Sequence, residues 1–539
     1  MKLKKRIELL SLLVIFTSCQ SVSDSLSVQI GYPTLPVLTM KETNPVMKIQ
    51  LVKSDLSDCT VQQIVVSLQG STNPKDIRLL SLYQANSEGR FANQKKLAEA
   101  KIEGNKAIFN TSIVMSADTM TYWMGVGLHE NIKLTDRLRL TCLQIMTTDG
   151  SVKIPVVKEK EPLRVGVAVR QHGQDHVHTS RIPGLATSKK GTLLAIYDAR
   201  YESSRDLQGN IDIGLNRSTD GGVTWLPFQV VLDRKEWGGL PEKFNGVSDP
   251  CILVDKHTGT IFVACLWMHG VLDNQTGKWV KGLTKKSKNW QHQWRGRGSQ
   301  PGFSIKQTCQ FLLTKSTDDG KTWSKPINIT PTTKRKEWWL YAPAPGHGIT
   351  LDDGTLVFPT QGRDQKGVPF SNITYSQNGG ETWTASNPAF KNVTENMVVQ
   401  LREGSLMLNM RDNSNRKNTN EHVDNGRRIC TTKDLGKTWV EHLTSHKVLT
   451  EPTCMASLHR QGNNLFFSNP NSRVARKNMT IKRSTDEGMT WPKEHWIVLD
   501  EQTGRGYSCL TSVNDSTIGI LYEGSQADLI FQQIPLKDF

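Results

Sequence analysis

Arginines at the ends of apolar, strand-like runs are the residues of this chain most suggestive of chemistry. Arg181 stands in His178-Thr-Ser-Arg181-Ile-Pro-Gly184, Arg411 in Leu408-Asn-Met-Arg411-Asp, and Arg476 in Ser472-Arg-Val-Ala-Arg476-Lys-Asn-Met, just ahead of the run from Thr480 to Arg483. A planar guanidinium offers parallel N–H donors that match a carboxylate in two-point fashion, so arginines brought together point to an anionic ligand. Arg473 competes with Arg476 for that reading. Glu523 falls between Tyr522 and Gly524 after an apolar run, a setting for an acid buried against a cation. His172, His176 and His178 precede Arg181 and read as structural rather than as metal ligands. No P-loop, GxSxG elbow or HExxH helix competes.

The elements that must position such residues are strands. Short runs rich in Val, Ile, Leu and Thr recur between Gly, Asn and Asp turns, as at Gly191–Tyr197, Gly259–Ala264 and Gly354–Phe358, and few segments show helical periodicity. The chain is expected to be all-β. An octapeptide, Ser-x-Asp-x-Gly-x-Thr-Trp, occurs at Ser218–Trp225, Ser316–Trp323 and Ser484–Trp491. Variants begin at Ser376, with Asn378 for Asp, and at Thr432. In each copy the Asp or Asn accepts backbone N–H bonds in a turn, Gly supplies a positive φ, and Trp packs the turn against its sheet. Copies at this spacing predict a radial repeat, a β-propeller of four-stranded blades. Upstream, from 28 to 158, strand-like runs continue without the box: Met47–Val52, Ile64–Leu68, Thr121–Val126 and Leu138–Thr141. They predict a separate β-sandwich, a spacer or a carbohydrate-binding unit, joined through the charged stretch from Lys158 to Glu161.

Composition narrows the class. With 539 residues, 37% hydrophobic and 22% charged, the chain exceeds one ordinary domain and can bury a large core. The formal net charge of +16 suits an acidic partner. No basic helix, zinc module or RNA-binding signature accompanies it, so nucleic acid is not expected. Lys2, Lys4, Lys5 and Arg6, the apolar stretch Leu9–Phe16 and the small residues before Cys19 read as an export signal over 1–19. Phe16-Thr-Ser-Cys19 resembles a bacterial lipobox. It predicts a lipid anchor at Cys19 and a place in the periplasm, the outer membrane or the cell surface. Most of the other eight cysteines fall in apolar runs without a CxxC pair, and buried thiols are expected, with one or two bridges open.

The octapeptides resemble the Asp boxes of sialidases, and Arg181-Ile-Pro at the opening of the repeat region resembles that family's Arg-Ile-Pro motif. The resemblance covers residues 165–539 and is to bacterial exo-α-sialidases. It implies a six-bladed propeller with its site on the axis, acting on terminal α-linked sialic acid of glycans or glycoproteins without metal or cofactor. It further implies that Arg181, Arg411 and Arg476 clamp the sugar carboxylate and that Tyr507 is the nucleophile. A neutral phenol avoids the repulsion that a carboxylate nucleophile would meet from the substrate's own carboxylate. By the same resemblance Glu395, in Val393-Thr-Glu395-Asn, is the base for Tyr507, Asp206 is the acid/base, Arg200 and Asp249 contact the sugar, and Glu523 holds Arg181. The stretch 269–303, with Trp279, Trp290, Trp294, Arg295 and Arg297, is either an overhang above the site or a basic insertion. A monomer is expected. A trans-sialidase, intramolecular or not, shares the same residues, and a non-catalytic Asp-box lectin would be expected to lack Asp206, Glu395 or Tyr507.

Overall fold

The computed structural model describes residues 22–539 apart from 24–25, 54–58, 94, 158–159, 208, 239–241, 269–298, 300, 306–307 and 423. The leader with Cys19, and the tryptophans and arginines of the 269–298 stretch, lie outside the described residues. Two sheets, of six and five strands, stack through strands between Val22 and Val152. Alternation decides which side chains enter. In the strand Thr60–Ser67, Val61, Ile64 and Val66 are buried. They join Leu82, Phe109 and Met124 in one core. The run Leu138–Thr141 is not one strand. Arg137–Leu138 pairs with Leu163–Arg164, whereas Thr141–Thr147 pairs with Thr60–Ser67. Leu138 and Leu140 both bury, and the chain changes sheet between them.

Six further sheets follow. The first is a simple antiparallel meander of Thr179–Thr187, Leu193–Arg200, Ile211–Ser218 and Gln229–Leu232. Innermost strands of others are Val247–Val254, Val393–Gln400, Ser457–Gln461 and Ser508–Asn514. In the third sheet the inner position is divided between Leu340–Pro343 and Ile349–Thr350, while Gly346–His347 between them pairs in parallel with Val247–Val254 of the second sheet. The inner elements touch in chain order and Ser508–Asn514 touches Thr179–Thr187, so the ring closes as a six-bladed propeller. The last blade takes its outer strand, Leu163–Arg170, from ahead of the first. Hydrogen bonds between the two ends of the propeller segment therefore seal the ring. Val37–Thr39 adds in parallel to that same strand, and one hydrophobic cluster runs from Leu26 to Phe531. The sandwich is thus built onto the sealing blade.

The five octapeptides form the same turn. In the first, Gly222 N–H donates to Ser218 Oγ at 2.8 Å, Thr224 N–H to Asp220 Oδ1 at 3.0 Å, and Trp225 Nε1–H to the Gly222 carbonyl at 3.1 Å. Trp225 meets Phe531 of the last blade edge to face at 5.2 Å. No box acid lines the axial cavity. Asp220→Ala is therefore expected to cost about 1 kcal/mol of stability, read as a lower denaturation midpoint, with kcat unchanged. The eight described cysteines are free and buried.

Candidate active site

A cavity of about 740 Å³ opens at one end of the propeller axis, and every blade contributes to its wall. Three inner strands carry an irregularity at that end. Register shifts fall between Arg181 and Gly184, between Ser248 and Cys251, and between Val393 and Asn396. A bulge bends its strand and re-aims a side chain. Here Arg181, Asp249 and Glu395 line the cavity at the three bulges. The first two are strained: Ile182 has φ +58° and Asp249 φ +54°. The left-handed region is costly for a β-branched residue and persists only where the surroundings over-determine it. Ile182 is packed among Met397, Met455 and Tyr507.

The phenol sits at the centre of the charged groups. Tyr507 Oη donates to Glu395 Oε1, and Arg411 Nη1 donates both to Glu395 Oε2 and, at 3.1 Å, to Tyr507 Oη. The guanidinium carbons of Arg181 and Arg476 each lie 5.5 Å from the Tyr507 ring centre. Burial, then the Glu395 charge, pushes the phenol well above its ordinary value, and Arg411 and Arg476 pull against both. Gly506 makes the approach feasible. Its φ is +91°, and a Cβ there would come within 2.9 Å of Pro470 and 3.1 Å of Cys454 Sγ.

Glu523, 1% exposed, ties the two halves of this cluster together. It accepts from Arg181 Nε at 2.9 Å, Arg181 Nη2 at 3.1 Å, Ile182 N at 2.9 Å and Tyr507 N at 3.1 Å. Burial opposes its charge, but Arg181 and the backbone donors outweigh that and hold the carboxyl below its usual range. Glu523 thus fixes the first arginine and the phenol's backbone at once, from behind the cavity wall.

On the strand paired with that of Arg181, Arg200 is buried and donates to Asp206 Oδ1 at 2.6 Å and to Asp198 Oδ2 at 2.8 Å. Asp206 lies on the loop after Leu193–Arg200, with a side chain 68% exposed and Arg181 Nη1 at 3.7 Å. Burial, then the charges of Asp198, Glu395 and Asp206, pushes Asp249 well above the carboxylate range. A raised native value favours the protonated form, so this residue costs stability as pH rises above the ordinary Asp value near 4. Asp249→Asn removes that cost. It is expected to raise Tm by about 2 °C or more at pH 7 and to leave Tm at pH 4 nearly unchanged.

The sequence-predicted residues converge. Asp206, Glu395, Tyr507, Arg181, Asp249, Arg411 and Arg476 line the cavity, and Arg200 and Glu523 brace its wall. Arg473 is not among the lining residues; it pairs with Asp424 at 2.8 Å and the Glu421 carbonyl at 2.7 Å. His172 and His178 meet edge to face at 4.5 Å, outside the cavity lining. Sequence reasoning missed Asp198, which also accepts from Ser248 Oγ at 2.7 Å and Asp249 N at 3.1 Å. It sits two residues before Arg200 on the same strand, and an acid at that spacing inside an apolar run was the available signal. Gln361, Arg363 and Arg416 also line the cavity without a motif to mark them.

The N-terminal domain of BNR-repeat neuraminidases matches residues 24–149, and the BNR repeat-like domain matches residues 182–473. A sialidase of Bacteroides fragilis is 38% identical over 99% of this chain and 99% of its own length. This chain belongs to the sialidase family. A solved structure, the Hadza microbial sialidase Hz136, superposes with a TM-score of 0.84 at 35% identity, over 94% of this chain and 99% of the other. A sialidase of Micromonospora viridifaciens is 30% identical over 68% of this chain and 53% of its own length. The Bacteroides fragilis and Hz136 matches span the sandwich and the propeller together, so the sialidase architecture extends through both.

Proposed function

We propose that this sialidase-family enzyme is an exo-α-sialidase that removes terminal α-linked sialic acid from glycoconjugates with retention of configuration. The observation that carries the reading is the Tyr507–Glu395 hydrogen bond, set between Arg181, Arg411 and Arg476. The three guanidinium groups take the substrate carboxylate and hold the anomeric carbon over the phenol. Tyr507 Oη attacks that carbon as its proton passes to Glu395. The bond to the aglycone breaks, and its oxygen takes a proton from Asp206, which stands exposed on its loop towards the leaving side. Water then attacks the glycosyl-tyrosine, giving its proton to Asp206, and Tyr507 recovers its own from Glu395. The chain is further proposed to be exported, lipidated at Cys19 and monomeric; loss of membrane fractionation in Cys19→Ala tests the anchor.

Proton NMR of the first product tests the reaction. Release of the α-anomer of free sialic acid before mutarotation is the expected result. An anhydro sugar or a transferred sialoside would make it a trans-sialidase, and binding without turnover would make it a lectin.

A further inference from the structure

The cavity lining holds six arginines, at 181, 205, 363, 411, 416 and 476, against three carboxyl groups, Asp206, Asp249 and Glu395. Arg411 is matched by Glu395, and Arg181 by Glu523 and Asp206. Arg476 donates to the Arg505 carbonyl at 2.9 Å. Among the described residues, Arg363 and Arg416 have neither a carboxylate nor a side-chain hydrogen bond. Both are nevertheless rooted. Arg363 ends the strand Leu356–Arg363, and its carbonyl accepts from Trp339 N at 2.9 Å. Arg416 lies in the single 3₁₀ turn Asn413–Lys417, whose cap Asp412 accepts from Ser414 N at 2.9 Å. Burial, then the charge of Arg416, lowers the proton affinity of Arg363; burial, then the charge of Arg411, does the same at Arg416. The two cations are close enough to repel. One sialic acid brings one carboxylate, and the clamp of Arg181, Arg411 and Arg476 consumes it.

We propose that Arg363 and Arg416 form a second anion subsite. The preferred glycans then carry a second negative group beside the sugar removed, either the carboxylate of a neighbouring sialic acid or a sulfate. This deepens the sialidase reading and rests on it.

The test measures kcat/KM on α2,3-sialyllactose, α2,8-disialyllactose and 6-sulfated sialyl-N-acetyllactosamine for wild type, Arg363→Gln, Arg416→Gln and the double variant. The rate on α2,3-sialyllactose normalises each variant for folding, and assays at about 0.5 M salt screen the long-range attraction, which acts more strongly on a dianion. Partly exposed ion pairs are worth about fivefold each. Each single variant is therefore expected to lose about fivefold more on a dianionic substrate than on α2,3-sialyllactose, and the double variant more still. A selective loss on the disialoside alone assigns the subsite to a neighbouring sialic acid, and on the sulfated glycan alone to sulfate. Equal losses on all three substrates at that salt would overturn the subsite. If the wild type turns over none of them, the sialidase reading falls, and the substrate preference with it.

Discussion

Tyr507→Phe is expected to lower kcat on a methylumbelliferyl sialoside by at least about a thousandfold while leaving the fold in place. The substitution deletes one oxygen. The ring stays between Arg181 and Arg476, each 5.5 Å away. Glu395 keeps Arg411 as its ion-pair partner, so no carboxylate is stranded. The backbone N–H of residue 507 still donates to Glu523. What is lost is the hydroxyl that bonds both Glu395 and Arg411. An unchanged melting curve alongside lost turnover separates a chemical role from a structural one. Retention of a tenth of the activity would remove Tyr507 from the reaction.

Glu523→Ala is expected to cost about 3–5 kcal/mol of stability, the largest single loss in the site. Its carboxylate satisfies four donors in a place 1% exposed to solvent. Truncation strands the buried Arg181 guanidinium and removes the clamp on Ile182, which sits at φ +58°. Glu523→Gln separates charge from shape. The native carboxyl is held below its usual range, so its contribution is fully present above the ordinary Glu value near 4.3 and fades as pH falls through the lower native value. Urea midpoints of wild type and Glu523→Gln should therefore differ most at pH 7 and converge below about pH 4. A gap that widened on acidification would refute the assignment of charge to this site.

The boxes made the propeller legible because each is a self-contained turn whose residues bond within eight positions. The sealing strand Leu163–Arg170 carries no such local signal. Its partners Leu529–Pro535 and Val37–Thr39 are distant in sequence, and only pairing reveals them. The broken inner element of the third blade is similarly obscure, since Leu340–Pro343 and Ile349–Thr350 are each too short for an alternating pattern to register. Within the site, Arg181, Arg411 and Tyr507 stood out because their local motifs resemble those of a known family. Asp198 and Arg363 did not, because one acts through Arg200 and Ser248 from behind the wall and the other through its place at a strand end. Arg473 and Arg476 stand three residues apart, and the loop from Ser472 to Asn478 separates them: Arg473 pairs with Asp424, and Arg476 lines the cavity.

Intact and peptide mass spectrometry after incubation with 2,3-difluorosialic acid, whose anomeric fluoride is the leaving group, tests the covalent step most directly. A stable adduct of one fluorosialosyl group, carried by the peptide containing Tyr507 and absent in Tyr507→Phe, is the predicted result. An adduct on Glu395 or Asp206, or sustained turnover of sialosides by an enzyme that never acquires a label, would contradict a tyrosine nucleophile.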